Sequence, residues 1–147
     1  MNIAVLQGPN LNRLGTRKPE VYGTTTLRQI QQDLDELASA RGWALAHFQS
    51  NHEGSMIDWL QEQETSIDAV LCNPAGVTNY GLSLRDALSE CGVPVGIVHL
   101  SNIHAREEWR KHDIFAEIAS VYVAGAGWRG YRHALEMLAV KCEAARA

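Results

Sequence analysis

Five short apolar runs, at residues 2–7, 44–49, 68–73, 94–99 and 120–124, alternate with stretches in which apolar side chains recur every three or four positions. This alternation of strand and helix periods constrains the fold most tightly, because strands joined through helices lie parallel and are linked by right-handed crossovers. In the first helical stretch Leu27, Ile30, Leu34, Leu37 and Ala38 form the apolar stripe, Thr26 and Gln29 have capping-box spacing, and Gly42 is placed to stop it. Met56, Ile57 and Leu60 mark a second helix. Leu84, Ala87, Leu88 and Cys91 mark a third, stopped by Gly92, and Tyr131, Ala134, Leu135, Leu138 and Cys142 mark the last. The pattern predicts an α/β fold in one domain, residues 1–147: a five-stranded parallel sheet with helices on both faces, each strand followed by a helix. The flavodoxin-like order 2-1-3-4-5 suits a chain this short.

With 46% hydrophobic residues, 147 residues suffice for one core. Thirteen Lys and Arg against 17 Asp and Glu leave a net charge of −4 with no basic run longer than two residues, which argues against a nucleic-acid surface. Cys72, Cys91 and Cys142 are odd in number and scattered, as expected of reduced thiols in a cytoplasmic protein, with Cys72 read as core. Residues 1–6 enter a strand at once, and no apolar stretch is long enough for a span, so neither a secretion signal nor membrane contact is expected. The histidines lack metal-ligand spacing. Gly125-Ala126-Gly127-Trp128-Arg129-Gly130 fits a dinucleotide fingerprint, but the acidic partner about 20 residues on would fall at the chain end with no strand to carry it. It is read as a glycine turn that packs the last helix, and no cofactor is expected.

The predicted order gathers the loops after strands one, three and four at one edge of the sheet, where open α/β sheets bind ligands. Residues 8–23 make a connection of about sixteen residues where two to six are usual, a candidate lid bracketed by Gly15 and Gly23 and carrying Arg17 and Tyr22. The loop over residues 73–80 offers the amides of Asn73 and Asn79 among small residues. In the third loop, His99 stands where a buried strand surfaces, and Arg106 and Arg110, four apart, are expected on one face of a helical turn. Together they describe an anion site holding a proton donor. Plainer readings stand beside these: Tyr22 as a packing aromatic, Arg17 as a solvated cation, His99 as a strand-end histidine, and the arginines in surface ion pairs.

Gly8-Pro9-Asn10-Leu11-Asn12, Gly15-Thr16-Arg17-Lys18-Pro19-Glu20, Tyr22-Gly23, Gln49-Ser50-Asn51-His52-Glu53-Gly54, Asn73-Pro74-Ala75, Leu84-Arg85-Asp86-Ala87 and His99-Leu100-Ser101-Asn102-Ile103-His104-Ala105-Arg106 occur in order along the chain. Together they resemble the type II 3-dehydroquinate dehydratases. The resemblance implies the flavodoxin-like fold, a homododecamer built from trimers, and elimination of water from 3-dehydroquinate with no metal or cofactor. It implies Tyr22 as a base acting as tyrosinate, Arg17 as the cation that makes this possible, and His99 as the acid that protonates the leaving hydroxyl. A cation is needed because a free tyrosine titrates near about 10. By the same resemblance Asn73 binds substrate hydroxyls, the amides of Leu100 and Ser101 receive the substrate carboxylate, and Arg110 and Asp86 fix the remaining hydroxyls. Asn10 and Arg106 hold lid and site together.

Two positions depart from that pattern. Asn79 stands where the family has a substrate-contacting histidine, and Ile97 where it has a glutamate that orients the catalytic imidazole. Gln7 replaces an asparagine, and Asp113 a small hydroxyl residue. Loss of the orienting carboxylate removes control of the His99 tautomer, so the expectation is a dehydratase slower by about 10- to 100-fold. The alternatives are a paralogue acting on a related cyclic hydroxy acid, or a non-catalytic module that binds one.

Overall fold

The computed structural model describes residues 1–146. Its strands are β1 (Asn2–Gln7), β2 (Ala44–Gln49), β3 (Ala69–Asn73), β4 (Val95–His99) and β5 (Val121–Ala124). They form one parallel sheet in the order β2-β1-β3-β4-β5, with Val5 level with His47 and Leu71, and Ile97 level with Cys72 and Tyr122. This is the flavodoxin-like arrangement that the alternating periods predict. β3, β4 and β5 each start one residue later than expected, at Ala69, Val95 and Val121.

The helices are α1 (Pro19–Tyr22), α2 (Leu27–Arg41), α3 (Glu53–Gln63), α4 (Leu82–Glu90) and α5 (Gly130–Arg146). The Thr26 hydroxyl accepts from the Gln29 amide at 3.2 Å and the Gln29 carbonyl oxygen accepts from the Thr26 amide at 2.9 Å, which closes the capping box of α2. Alternate side chains of each strand enter opposite layers. Ile3, Val5, Leu71 and Val98 pack with α2 and α5, whereas Ala4, Leu6, Val70 and Ile97 pack with α3 and α4. Among the described residues no helix is long and apolar enough to cross a membrane.

The crossover from β4 to β5 corrects the expectation of a helix after every strand. It holds three 3-10 turns, Ile103–Ala105, Glu108–Arg110 and Ala116–Ile118. Asn102 caps the first by accepting from the His104 amide, and Arg106 is already extended, with φ −106° and ψ −162°. Arg106 and Arg110 therefore share no helical face. Ile103 and Phe115, buried but too far apart for helical periodicity, dock one at a time.

Candidate active site

The loops after β1, β3 and β4 enclose a cleft of about 670 Å³, counting its open mouth, at the carboxyl edge of the sheet. That size suits a small molecule.

The first loop is anchored before it reaches the cleft. Leu11 and Leu14 are buried in the α2–α5 layer, and the Asn10 amide donates to Asn51 Oδ1 at 2.8 Å. Lys18, at φ +40°, then turns the chain into α1, which carries Tyr22 onto the same layer. Arg106 Nη1 donates to Tyr22 Oη at 2.9 Å and to Ser101 Oγ at 3.3 Å. The Arg17 and Arg106 guanidinium carbons each lie 5.4 Å from the centroid of the Tyr22 ring. Sequence reasoning put Arg17 beside the phenol. The structure sets two cations there, and the one bonded to the oxygen is Arg106, where negative charge on that oxygen would be met by a charge-assisted hydrogen bond.

Asn73 ends β3 on the floor of the cleft. Its Oδ1 accepts from the Ala75 amide at 3.1 Å and its Nδ2 donates to Tyr131 Oη at 2.8 Å, while Tyr131 in turn donates to Gln7 Oε1 at 2.7 Å. The chain of bonds fixes which way the Asn73 amide faces and leaves one Nδ2 hydrogen for a ligand. Burial pushes the Tyr131 phenol up, past the opposing effect of its bonds with Asn73 and Gln7, so it remains a neutral donor. Among the described residues Gln7 Nε2 has no partner. Across the cleft, Asn79 Nδ2 donates to the Trp109 carbonyl at 2.7 Å, which ties the second loop to the third.

His99 is where the structure departs most from expectation. Ile97 is buried in the apolar layer, yet His99 does not lack a carboxylate, because Asp113 Oδ2 lies 2.6 Å from His99 Nε2. Tyr122 Oη donates to the same oxygen at 2.9 Å and the Phe115 amide to Asp113 Oδ1 at 2.8 Å. Burial raises the Asp113 carboxyl, but the bond and charge of His99, with the Phe115 amide and the Tyr122 hydroxyl, outweigh it and hold the group below its ordinary value. Burial, then the neighbouring Asp113 charge, pushes the Tyr122 phenol up.

Beyond His99, the glycine turn meets the site. The Gly125 amide donates to the His99 carbonyl at 3.2 Å and the Gly127 amide to the Leu100 carbonyl at 2.9 Å. Peptides are planar and trans, so the Leu100 and Ser101 amides point the opposite way from these tethered carbonyls. Both residues line the cleft, as does Arg110, which is held by Glu107 Oε2 at 2.9 Å and lies 4.0 Å over the Trp109 ring.

Residues 1–139 match the family model for class II dehydroquinase. The chain belongs to that family. It is 51% identical over 136 residues to the 3-dehydroquinate dehydratase of Ralstonia pickettii, covering 92% of this chain and 88% of that one. Its identity to the enzyme of that name from Roseiflexus castenholzii is 49% over 138 residues, covering 94% and 88%. The type II dehydroquinase structure from Butyrivibrio crossotus superposes with a TM-score of 0.92 at 34% identity, covering 95% of this chain and 97% of that one.

In this class II dehydroquinase chain, Asp86 and Asn10 are not among the residues that line the chain's own cleft. Leu84 and Leu88 form the buried side of α4, so Asp86, two residues from each, faces outward with 65% of its side chain exposed and pairs with Arg85 at 3.2 Å. Asn10 secures the base of the lid through the hydrogen bond from its backbone amide to Asn51. Sequence reasoning missed Tyr122 and Tyr131, and gave Asp113 no role. The available signal was paired: Ile97 loses a carboxylate and Asp113 gains one.

Proposed function

We propose that the chain dehydrates 3-dehydroquinate to 3-dehydroshikimate by anti elimination through an enolate. Tyr22, as phenolate, takes the proton beside the ketone, and the C–H electrons move onto the ketone oxygen. Collapse of that enolate breaks the C–O bond, and the leaving hydroxyl takes a proton from His99 and departs as water. Arg106 and Arg17 bear the charge on Tyr22, the Leu100 and Ser101 amides receive the substrate carboxylate, and Asn73, Asn79 and Arg110 hold its hydroxyls. The observation that carries this reading is the Arg106–Tyr22 contact at 2.9 Å in the same cleft as the carboxylate-backed His99. The names of the Ralstonia and Roseiflexus relatives support the substrate.

Incubation of the purified protein with 3-dehydroquinate tests it, read as growth of enone absorbance. Turnover is expected, and Tyr22→Phe and His99→Ala each abolish it while the fold survives. Ligand-dependent thermal stabilisation without any absorbance growth would instead establish a binding module. A related cyclic hydroxy acid is the second reading. Asn79 favours it, since one of its N–H groups is spent on Trp109 and it cannot become cationic. We also take residues 1–147 as one domain of a cytoplasmic homododecamer built from trimers. The exposed Tyr80, Leu82 and Trp109 are the kind of surface a neighbouring copy covers, and sedimentation velocity tests the assembly.

A further inference from the structure

We propose that Asp113, backed by Tyr122, is the positioning residue of this site: it holds His99 with a proton on Nε2 and turns Nδ1 toward the cleft. The proposal rests on the dehydratase reading for its kinetic consequence but not for its geometry. An ionised carboxylate only accepts hydrogen bonds. The Phe115 amide can only donate, and the Tyr122 hydroxyl, 2.9 Å from Asp113 Oδ2, donates to it. A 2.6 Å contact between Asp113 Oδ2 and His99 Nε2 is then a hydrogen bond only when Nε2 carries the hydrogen. Nδ1 is left facing the leaving hydroxyl, and it donates from the doubly protonated ring, which falls back to the neutral Nε2–H form that Asp113 holds.

The register explains why the carboxylate arrives from a loop. Ile97 is level with Tyr122 on the neighbouring strand, and both pack in the α3–α4 layer with Phe115. The Tyr122 ring lies 5.7 Å from that of His99, and its hydroxyl stops at Asp113. Position 97 is given over to the apolar layer, and the acceptor for His99 comes from residue 113. A plainer role is open to Asp113, as the acceptor that shapes the turn through the Phe115 amide.

Asp113→Asn separates the two, because the amide oxygen still serves Phe115 while its NH₂ faces His99 and Tyr122. Nitrogen-15 NMR of the histidine rings, read at a pH where each ring carries one proton, should show His99 as the Nε2–H form in the native protein and the Nδ1–H form in the variant, where Nε2 must accept. On 3-dehydroquinate the variant should lose about 10- to 100-fold in kcat, the usual scale for a lost orienting partner, with KM changed less than about threefold. Tyr122→Phe should keep the native tautomer and cost less than Asp113→Asn. An Nδ1–H native form overturns the proposal even if the variant fails to fold, and so does an Asp113→Asn variant that folds and keeps its tautomer or native kcat. Should the native protein leave 3-dehydroquinate untouched while the tautomer switches as described, the substrate assignment falls and the positioning role stands.

Discussion

Tyr131→Phe removes one oxygen from the floor of the cleft, and its cost follows from what that oxygen holds. Tyr131, Gln7 and Asn73 are 1%, 0% and 2% exposed, so water cannot replace a lost partner freely. Without the hydroxyl, the Gln7 amide, whose Nε2 already has no partner among the described residues, loses its Oε1 donor as well, and Asn73 Nδ2 loses an acceptor. Each buried group left unsatisfied costs about 1–3 kcal/mol. Two groups are stranded, Gln7 Oε1 and Asn73 Nδ2, so the sum should be about 2–6 kcal/mol. Urea unfolding at fixed protein concentration measures it through the midpoint, provided the slope is unchanged. Because the penalty belongs to stranded polar groups and not to the phenol itself, Tyr131→Phe combined with Gln7→Leu should recover at least about 1 kcal/mol of the loss. KM should rise more than kcat falls, since Asn73 is loosened. A single-variant cost below about 0.5 kcal/mol, or a double variant no more stable than the single, would refute the reasoning.

Arg106→Ala should lower kcat by about 100-fold, the scale of losing one preorganised donor to a charged oxygen, and Arg17→Ala by less, because only Arg106 bonds the phenol. Equal losses in steady-state assays would count against that ranking. Ile97→Glu should bring no gain in kcat and cost about 3 kcal/mol or more in urea unfolding, since it buries a second carboxylate near Asp113, whereas adding Asp113→Ser should relieve part of that cost. Asp113, held below its ordinary value, contributes stability that is fully present above the unfolded carboxylate value of about 3.9 and is lost as pH falls through its lower folded value. The stability difference between the native protein and Asp113→Asn should therefore shrink below about pH 4. Gly125 has φ +87°, and a Cβ there would lie 3.1 Å from Asn102 Cβ. Gly125→Ala should raise KM by disturbing the Leu100 and Ser101 amides and cost about 1–3 kcal/mol, and an unchanged KM would detach the glycine turn from binding.

The sheet order was legible because the periods of two and of three to four residues do not overlap, and because Thr26 and Gly42 bracket α2 as local rules require. The β4–β5 crossover was not. Its apolar residues anchor isolated turns, so no periodicity betrays them, and only the folded chain sets Arg106 against Tyr22, 84 residues away in sequence. The same holds at His99, where position 97 could be read as a loss but the gain at Asp113 depends on a loop docking beside Tyr122. Tyr131 was concealed differently. Its place in the stripe of α5 explained it as core, although its hydroxyl orients Asn73. Asp86 shows a different limit: its motif does not say which side of α4 it occupies, and that side is turned away from the chain's own cleft.

The sheet separates two layers, and the two residues proposed to handle protons divide between them. Tyr22 leans on the layer of α2 and α5, while the support of His99, through Phe115 and Tyr122, belongs to the layer of α3 and α4. Packing defects should consequently sort by layer, those in the first enlarging the primary deuterium isotope effect on C–H cleavage and those in the second suppressing it as departure of water becomes limiting.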